Sequence, residues 1–333
     1  MDGPLSTRCH PFEGVPKAMT TTPPRDPTDL LTELEPYVAD ALDRHLSQAT
    51  EWFPHEFVPY DEGRSYTDDP WKPEDSRLPD VAQVAIELNL LTEDNLPFYT
   101  LGLTDAFGRT EAWGEWVRRW TAEEGRHSIV LRDYLTVTRG VDPASLETGR
   151  MDMVQRGWYP DFAQLGPLDG VAYTTFQELA TRISHRNTGT VTRDEGALRV
   201  LQRIATDENL HYLFYRDMGA AALEIDASAM MLAIRRQVTD FAMPGVDMPG
   251  FKQRAKLMAE AGVYNFRIHH DQILEPVLLK HWRIDRVEGL SDEAERARDA
   301  IMSYMVKLDR VASRLDERSV PVGADRELRP AAP

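Results

Sequence analysis

The sequence predicts an all-α fold with one main domain. Apolar residues recur every three or four positions through most of the chain, and no stretch of useful length alternates as a strand would. Nor is there a Gly-rich phosphate loop of the kind that opens a nucleotide-binding α/β unit. Taken in order, residues 1–26 are rich in Pro and Thr without any period and read as a disordered leader. A first helix starts at Asp29, marked by Leu30, Leu31, Leu34, Val38, Leu42 and Leu46. A proline-bearing connection runs from Trp52 to Pro79. Helical patterns then cover 79–102, 108–138, 166–188, 195–223, 226–243, 250–262 and 268–284. Residues 291–316 read as a charged surface helix and 319–333 as a frayed tail, which leaves 27–318 as a single domain.

Bulk properties exclude several roles. At 333 residues with a net charge of −17, the chain can bury a real core but cannot be a general nucleic-acid binder, which needs a basic surface. No apolar run approaches the twenty residues of a membrane span. The N-terminus lacks a secretory pattern, and the one cysteine, Cys9, has no partner within the chain, so a cytoplasmic protein is expected. Basic clusters at 234–237, 251–256 and 280–286 are either solvated helix faces or a docking patch for an acidic partner.

The chemistry lies in charged groups on the wrong face of two helices. Trp113, Val117, Trp120, Leu131 and Tyr134 form an apolar stripe, and Glu124 and His127 interrupt it as Glu-x-x-His. Downstream, Leu198, Leu201, Ile204, Tyr215 and Met218 form a second stripe, interrupted by Glu208 and His211 in the same form. A buried carboxylate needs a proton, a counter-charge or a metal. Pairing lengths test the third option. If each motif helix is antiparallel to the helix before it, Glu93 lies at the depth of Glu124 and Glu178 at the depth of Glu208, with separations of 31 and 30 residues.

One Glu from each of two helices plus Glu-x-x-His from each of two others is the ligand set of a carboxylate-bridged di-iron or di-manganese four-helix bundle. Four carboxylates balance two divalent ions, and the absence of thiolates favours iron or manganese over structural zinc. Glu87 and Glu115 lie in the same helices and compete as ligands, although Glu115 falls off the stripe. The acids preceding each motif, Glu123 and Asp207, can accept a hydrogen bond from the outer nitrogen of a metal-bound His across the bundle, or can be plain surface charge.

The stretches "TEDNLPFY" (92–99), "RWTAEEGRH" (119–127), "YTTFQELATRISHRNTG" (173–189), "DENLH" (207–211) and "GVYNFRIHHDQILEPVLLKHWRIDRVEGLS" (262–291) carry a resemblance over roughly 28–295. The sequence resembles the soluble acyl-[acyl-carrier-protein] desaturases, the stearoyl-carrier desaturases of plastids and their actinobacterial relatives, with the latter closest. The resemblance implies a ferritin-like bundle with additional surrounding helices. It implies two iron ions on Glu93, Glu124, His127, Glu178, Glu208 and His211, while the oxygen-rich ligand set itself also admits manganese as a substitute. It also implies O₂-dependent introduction of a cis double bond into an acyl chain on acyl-carrier protein, with ferredoxin as electron donor and a homodimeric assembly. Trp52 matches a tryptophan on the electron path, completed by Asp207 and His127, and Thr181 matches a threonine on the oxygen side of the metals.

Two departures stand out. Gly125 occupies a position where the family commonly has Asn, and a mid-helix Gly costs about 1 kcal/mol relative to Ala. The loop between Tyr99 and Trp113 is shorter than in plastid enzymes, and Gly102, Asp105 and Ala106 fall near positions lining their acyl channel, so chain-length preference does not carry over. Rival readings are a ribonucleotide reductase small subunit, a di-iron oxygenase acting on a carrier-tethered metabolite, an iron-storage protein, and a metal-free helical interaction protein. Leu131 stands where the reductase places its radical tyrosine.

Overall fold

A computed structural model describes residues 26–158, 162–243, 246, 248 and 250–318. The predicted leader, apart from Asp26, and the predicted tail lie outside these residues. Every regular element among the described residues is helical. Besides short 3₁₀ and π-helical turns, the α-helices in chain order are α1 (Pro27–Gln48), α2 (Asp80–Glu93), α3 (Leu96–Phe107), α4 (Glu111–Val137), α5 (Pro143–Arg156), α6 (Phe162–Leu165), α7 (Pro167–Val191), α8 (Glu195–Ile225), α9 (Ala227–Asp240), α10 (Phe251–Glu260), α11 (Phe266–Ile268) and α12 (Asp292–Arg318).

Four of these helices form the bundle. α7 and α8 are joined by only three residues and so run antiparallel, while α2 lies against both α4 and α7, and α4 against α8. α1 covers α4 and α8 from outside, and α9 packs between α7 and α12. The predicted stripe on α4 is buried throughout, and on α8 Leu201, Ile204, Tyr215 and Met218 are buried, with only Leu198 at the margin. Leu46 of α1 is exposed, and the buried residue at that end is His45.

The predicted pattern over 79–102 is two helices. Pro97 in the first turn of α3 offers no backbone N–H, and the chain breaks at Asp94 and Asn95, directly after Glu93. α5, which no predicted pattern covered, fixes that break: Arg150 clamps Asp94 through both of its oxygens at 2.7 and 2.9 Å. Asn95, fully buried, exchanges two hydrogen bonds with the backbone of Trp158. The stretch expected to be a loop between Tyr99 and Trp113 is helical up to Phe107. α3 ends at Gly108, whose φ of 85° lies in the region that favours glycine.

The predicted helix over 268–284 also differs, because α11 opens into π-helical turns at His269–Leu274 and Pro276–His281. Pro276 removes one backbone donor there, and the Trp282 N–H donates to the Val277 carbonyl five residues back. The Trp282 ring lies against Gly219, where an added Cβ would meet it at 2.2 Å. That glycine lets the C-terminal segment sit close on α8.

Candidate metal centre

The six acidic and imidazole side chains singled out by helix depth lie together in the middle of the bundle. All are buried, with Glu178, His127 and His211 fully enclosed. Their oxygen and nitrogen atoms form two overlapping groups. Glu93, Glu124, His127 and Glu208 make one, and Glu124, Glu178, Glu208 and His211 make the other; within each, the candidate ligand atoms lie within 4.8 Å of one another. Glu124 and Glu208 belong to both. Such sharing is the geometry expected when two carboxylates bridge two metal positions, each completed by one terminal Glu and one His.

The orientation of the imidazoles agrees with that reading. His127 Nδ1 faces Glu124 at 3.1 Å and Glu208 at 3.5 Å, and His211 Nδ1 faces Glu124 at 2.8 Å and Glu178 at 3.5 Å. Several of these close approaches do not make hydrogen bonds. Glu124 Oε1, Glu178 Oε2 and His211 Nδ1 are buried without a hydrogen-bond partner. Buried polar atoms that converge on one point without bonding one another fit a site that a cation completes. The metal-free pocket is electrostatically divided. Burial and the neighbouring Glu208 push the carboxyls of Glu178 and Glu124 up. Burial would lower the two imidazoles, but the surrounding carboxylates outweigh it and hold both well above the ordinary histidine value.

Outside this group each histidine turns its other nitrogen to an acid from the opposite motif. His127 Nε2 lies 3.4 Å from Asp207, and His211 Nε2 lies 2.9 Å from Glu123. Burial pushes both acids up, yet hydrogen bonds from the imidazoles prevail and hold them well below the usual carboxylate range. Trp52 donates its indole N–H to Asp207 at 2.7 Å, and its ring lies nearly parallel to that of His127 at 6.3 Å between centroids. The Thr181 hydroxyl sits 3.0 Å from Glu208 Oε2 and also within reach of the Glu178 carbonyl oxygen. Beside Glu93 and Glu124 is a water-sized cavity bounded by Thr92, Leu96, Tyr99, Trp120, Gln177 and Thr181.

The two competing acids are elsewhere. Glu115 is exposed, and Glu87 is paired with Arg254 at 3.0 Å. Sequence reasoning missed several neighbours of the centre. His185 places Nε2 2.9 Å from Glu93 Oε1, and Trp120 donates to Glu178 at 3.0 Å. His45 reaches Glu123 at 2.9 Å. Arg119 binds Glu123, and Arg203 binds Asp207, each from one turn earlier in its own helix. A signal for some of these was present. His185 lies seven residues after Glu178 and so on its face, while the duplicated frame extends from Glu-x-x-His to Arg-x₃-acid-Glu-x₂-His in 119–127 and 203–211.

Comparison with known proteins gives a consistent answer. A family model described as fatty acid desaturase matches residues 26–329. A Mycobacterium tuberculosis protein named as an acyl-[acyl-carrier-protein] desaturase, DesA1, is 44% identical over 309 residues, which is 90% of this chain and 91% of that protein. The chloroplastic stearoyl-[acyl-carrier-protein] 9-desaturase of Spinacia oleracea is 29% identical over 321 residues, 90% of this chain and 80% of its own length. Among solved structures, the X-ray structure of the M. tuberculosis H37Rv acyl-carrier desaturase DesA2 aligns with a TM-score of 0.65 at 27% identity, covering 81% of this chain and 99% of that one.

Proposed function

This chain belongs to the fatty acid desaturase family, and on that premise we propose that it is an O₂-dependent acyl-[acyl-carrier-protein] desaturase with a di-iron centre. The ligands are Glu93, Glu124, His127, Glu178, Glu208 and His211. The observation that carries this reading is the pair of four-residue groups sharing Glu124 and Glu208. The oxygen-rich set would also accept manganese, which metal analysis of the purified protein distinguishes from iron. When bound, the iron pair would activate O₂ with two electrons from ferredoxin, so that two hydrogens leave adjacent methylenes of an acyl chain and the oxygen leaves as two waters.

The protein's own contribution is placement. Asp207 and Glu123 hold the outer nitrogens of His127 and His211, so that both Nδ1 atoms point inward. Trp52, Asp207 and His127 make a hydrogen-bonded line from beneath the surface to the centre, which serves as the electron path. Thr181 can donate to Glu208 and keeps a hydroxyl at the edge of the small cavity, where oxygen would approach. Leu96, Tyr99 and Trp120 close the rest of that cavity beside Glu93 and Glu124. The carrier docks on the basic clusters; Lys252 and Arg235 stay exposed, whereas Arg236 is engaged with buried Asp169. The functional unit is a homodimer.

The test is to incubate the iron-loaded protein with acyl carriers of several chain lengths, ferredoxin, its reductase and O₂, and to weigh the released acids. Loss of two hydrogens is expected; gain of one oxygen would make the protein a hydroxylase. Glu208→Ala should bind iron weakly and lose desaturation almost entirely, since it removes a ligand shared by both metal positions. Normal iron content and turnover in that variant would remove the site assignment.

A further inference from the structure

Helix α1 is not one of the four bundle helices, yet it sends one polar side chain toward the centre. His45 is buried at the end of the apolar face of α1 and lies against Glu123, Trp116 and His211. Its Nε2 lies 2.9 Å from Glu123 Oε2, and that same oxygen lies 2.9 Å from His211 Nε2. The other carboxylate oxygen of Glu123 is held by Arg119 at 2.7 Å. The imidazole is fixed in turn. It stands edge-on to Trp116 at 5.0 Å and stacks over His211 at 5.8 Å. Its Nδ1 is buried with no partner in the protein. The residue also borders a cleft of about 160 Å³ between α1 and α8, lined by Arg44, Gln48, Leu210, Phe214 and Arg216. Of the two ring nitrogens it is Nε2 that faces Glu123.

We propose that His45 is a positioning residue for the metal centre: by donating to Glu123 from α1 it fixes the carboxylate that aims His211 at its metal position. The reason is geometric. Apart from His45, Glu123 has His211 on the inside and, at its other oxygen, the partly exposed Arg119 with Arg126 at 3.9 Å. Without His45 the carboxylate can swing toward Arg119 and solvent, and His211 loses the acceptor that holds its ring. Partners of this kind affect metal affinity by about 10–100-fold when removed. The effect should fall on the His211 side, because His127 relies on Asp207 and not on Glu123.

This inference rests on the di-iron reading, and the experiment separates the two. Full-length protein is titrated anaerobically with ferrous ion, and bound iron is followed by stoichiometry and by ⁵⁷Fe Mössbauer spectra, with the unfolding midpoint of each metal-free variant as a check on folding. Failure of the unaltered protein to take up two irons would overturn the parent reading. Given two irons in the unaltered protein, His45→Asn, whose amide stops short of Glu123, should retain one tight iron and bind the second about 10–100-fold more weakly. His45→Gln places an N–H near the Nε2 position and should restore the second iron. In a Glu123→Gln background, His45→Asn should add little, because both changes break the same link. Should His45→Asn fail to fold, His45→Phe takes its place. Two native-like irons in the disruptive variant, equal loss in His45→Gln, or additive loss in the double variant would each overturn the role of His45.

Discussion

The two halves of the centre share an inner design and differ at their outer ends. On one side His127 leads to Asp207, then to the Trp52 indole, with the guanidinium of Arg126 4.9 Å and that of Arg203 5.9 Å from the ring centre. On the other side His211 leads to Glu123, then to the His45 imidazole and an open cleft. The inner halves are alike because both follow from one local frame, in which acid, ligand Glu and ligand His sit at fixed helical spacing. The outer halves are unlike because their last residues come from elsewhere in the chain, 155 residues from Asp207 for Trp52 and 78 from Glu123 for His45. One outer end presents an aromatic ring with a single N–H donor, the end proposed above as the electron path. The other presents a buried imidazole whose Nε2 faces the carboxylate, suited to fixing it.

If the acids are equivalent despite these different ends, disabling either should weaken iron binding comparably. Asp207→Asn and Glu123→Gln keep size and remove charge, and each is expected to lower iron affinity by about 10–100-fold. Anaerobic iron titration measures both. A large loss in one and none in the other would show that only one half depends on its outer acid, and the parallel drawn from the duplicated frame would then be superficial.

A smaller effect separates the ends by function. Trp52→Phe keeps an aromatic ring but removes the N–H to Asp207. It is expected to leave two irons bound and to slow turnover several-fold when electrons come from ferredoxin. Single-turnover desaturation after chemical reduction should be much less affected, because the chemistry downstream of reduction is unchanged. Equal slowing in both assays would place Trp52 in the support of His127 rather than on an electron path.

The duplicated inner frame was legible in the sequence because helical period and helix depth are local quantities. Glu93, Glu124, Glu178 and Glu208 can be placed at one level with only a turn position and a rise per residue. The outer ends were less legible. Trp52 came only from family resemblance, since it lies in an irregular proline-bearing segment without period. His45 is hidden because Leu46 continues the apolar period of α1, although Leu42 plus three is His45. The split between α2 and α3 was missed for another reason. Pro97 was visible, but the clamp from Arg150 belongs to a helix whose weak apolar stripe gave no pattern. The π-helical turns at 269–281 depend on how that segment packs against α7 and α12, which no local spacing encodes.

The smallest expected effect tests whether the two inner frames are as alike as their ligands. The second frame carries Asn209 between Glu208 and the residue before His211, whereas the first carries Gly125. Neither packing nor backbone requires that glycine. It lies within α4 away from any positive-φ position, and the nearest atom to an added Cβ, outside its own helix backbone, is Leu96 Cδ2 at 3.9 Å, an ordinary contact. Gly125→Ala is therefore expected to stabilise the metal-free protein by about 1 kcal/mol, through helix propensity and a less flexible unfolded chain. In thermal unfolding that corresponds to a rise of roughly 2 °C for a chain of this size. The contrast is Gly196, where an added Cβ would meet the Tyr134 hydroxyl at 2.5 Å and the same change should destabilise. A lower midpoint for Gly125→Ala would mean that α4 needs backbone freedom between Glu124 and His127 that α8 does not. The two motifs would then share ligands without sharing mechanics.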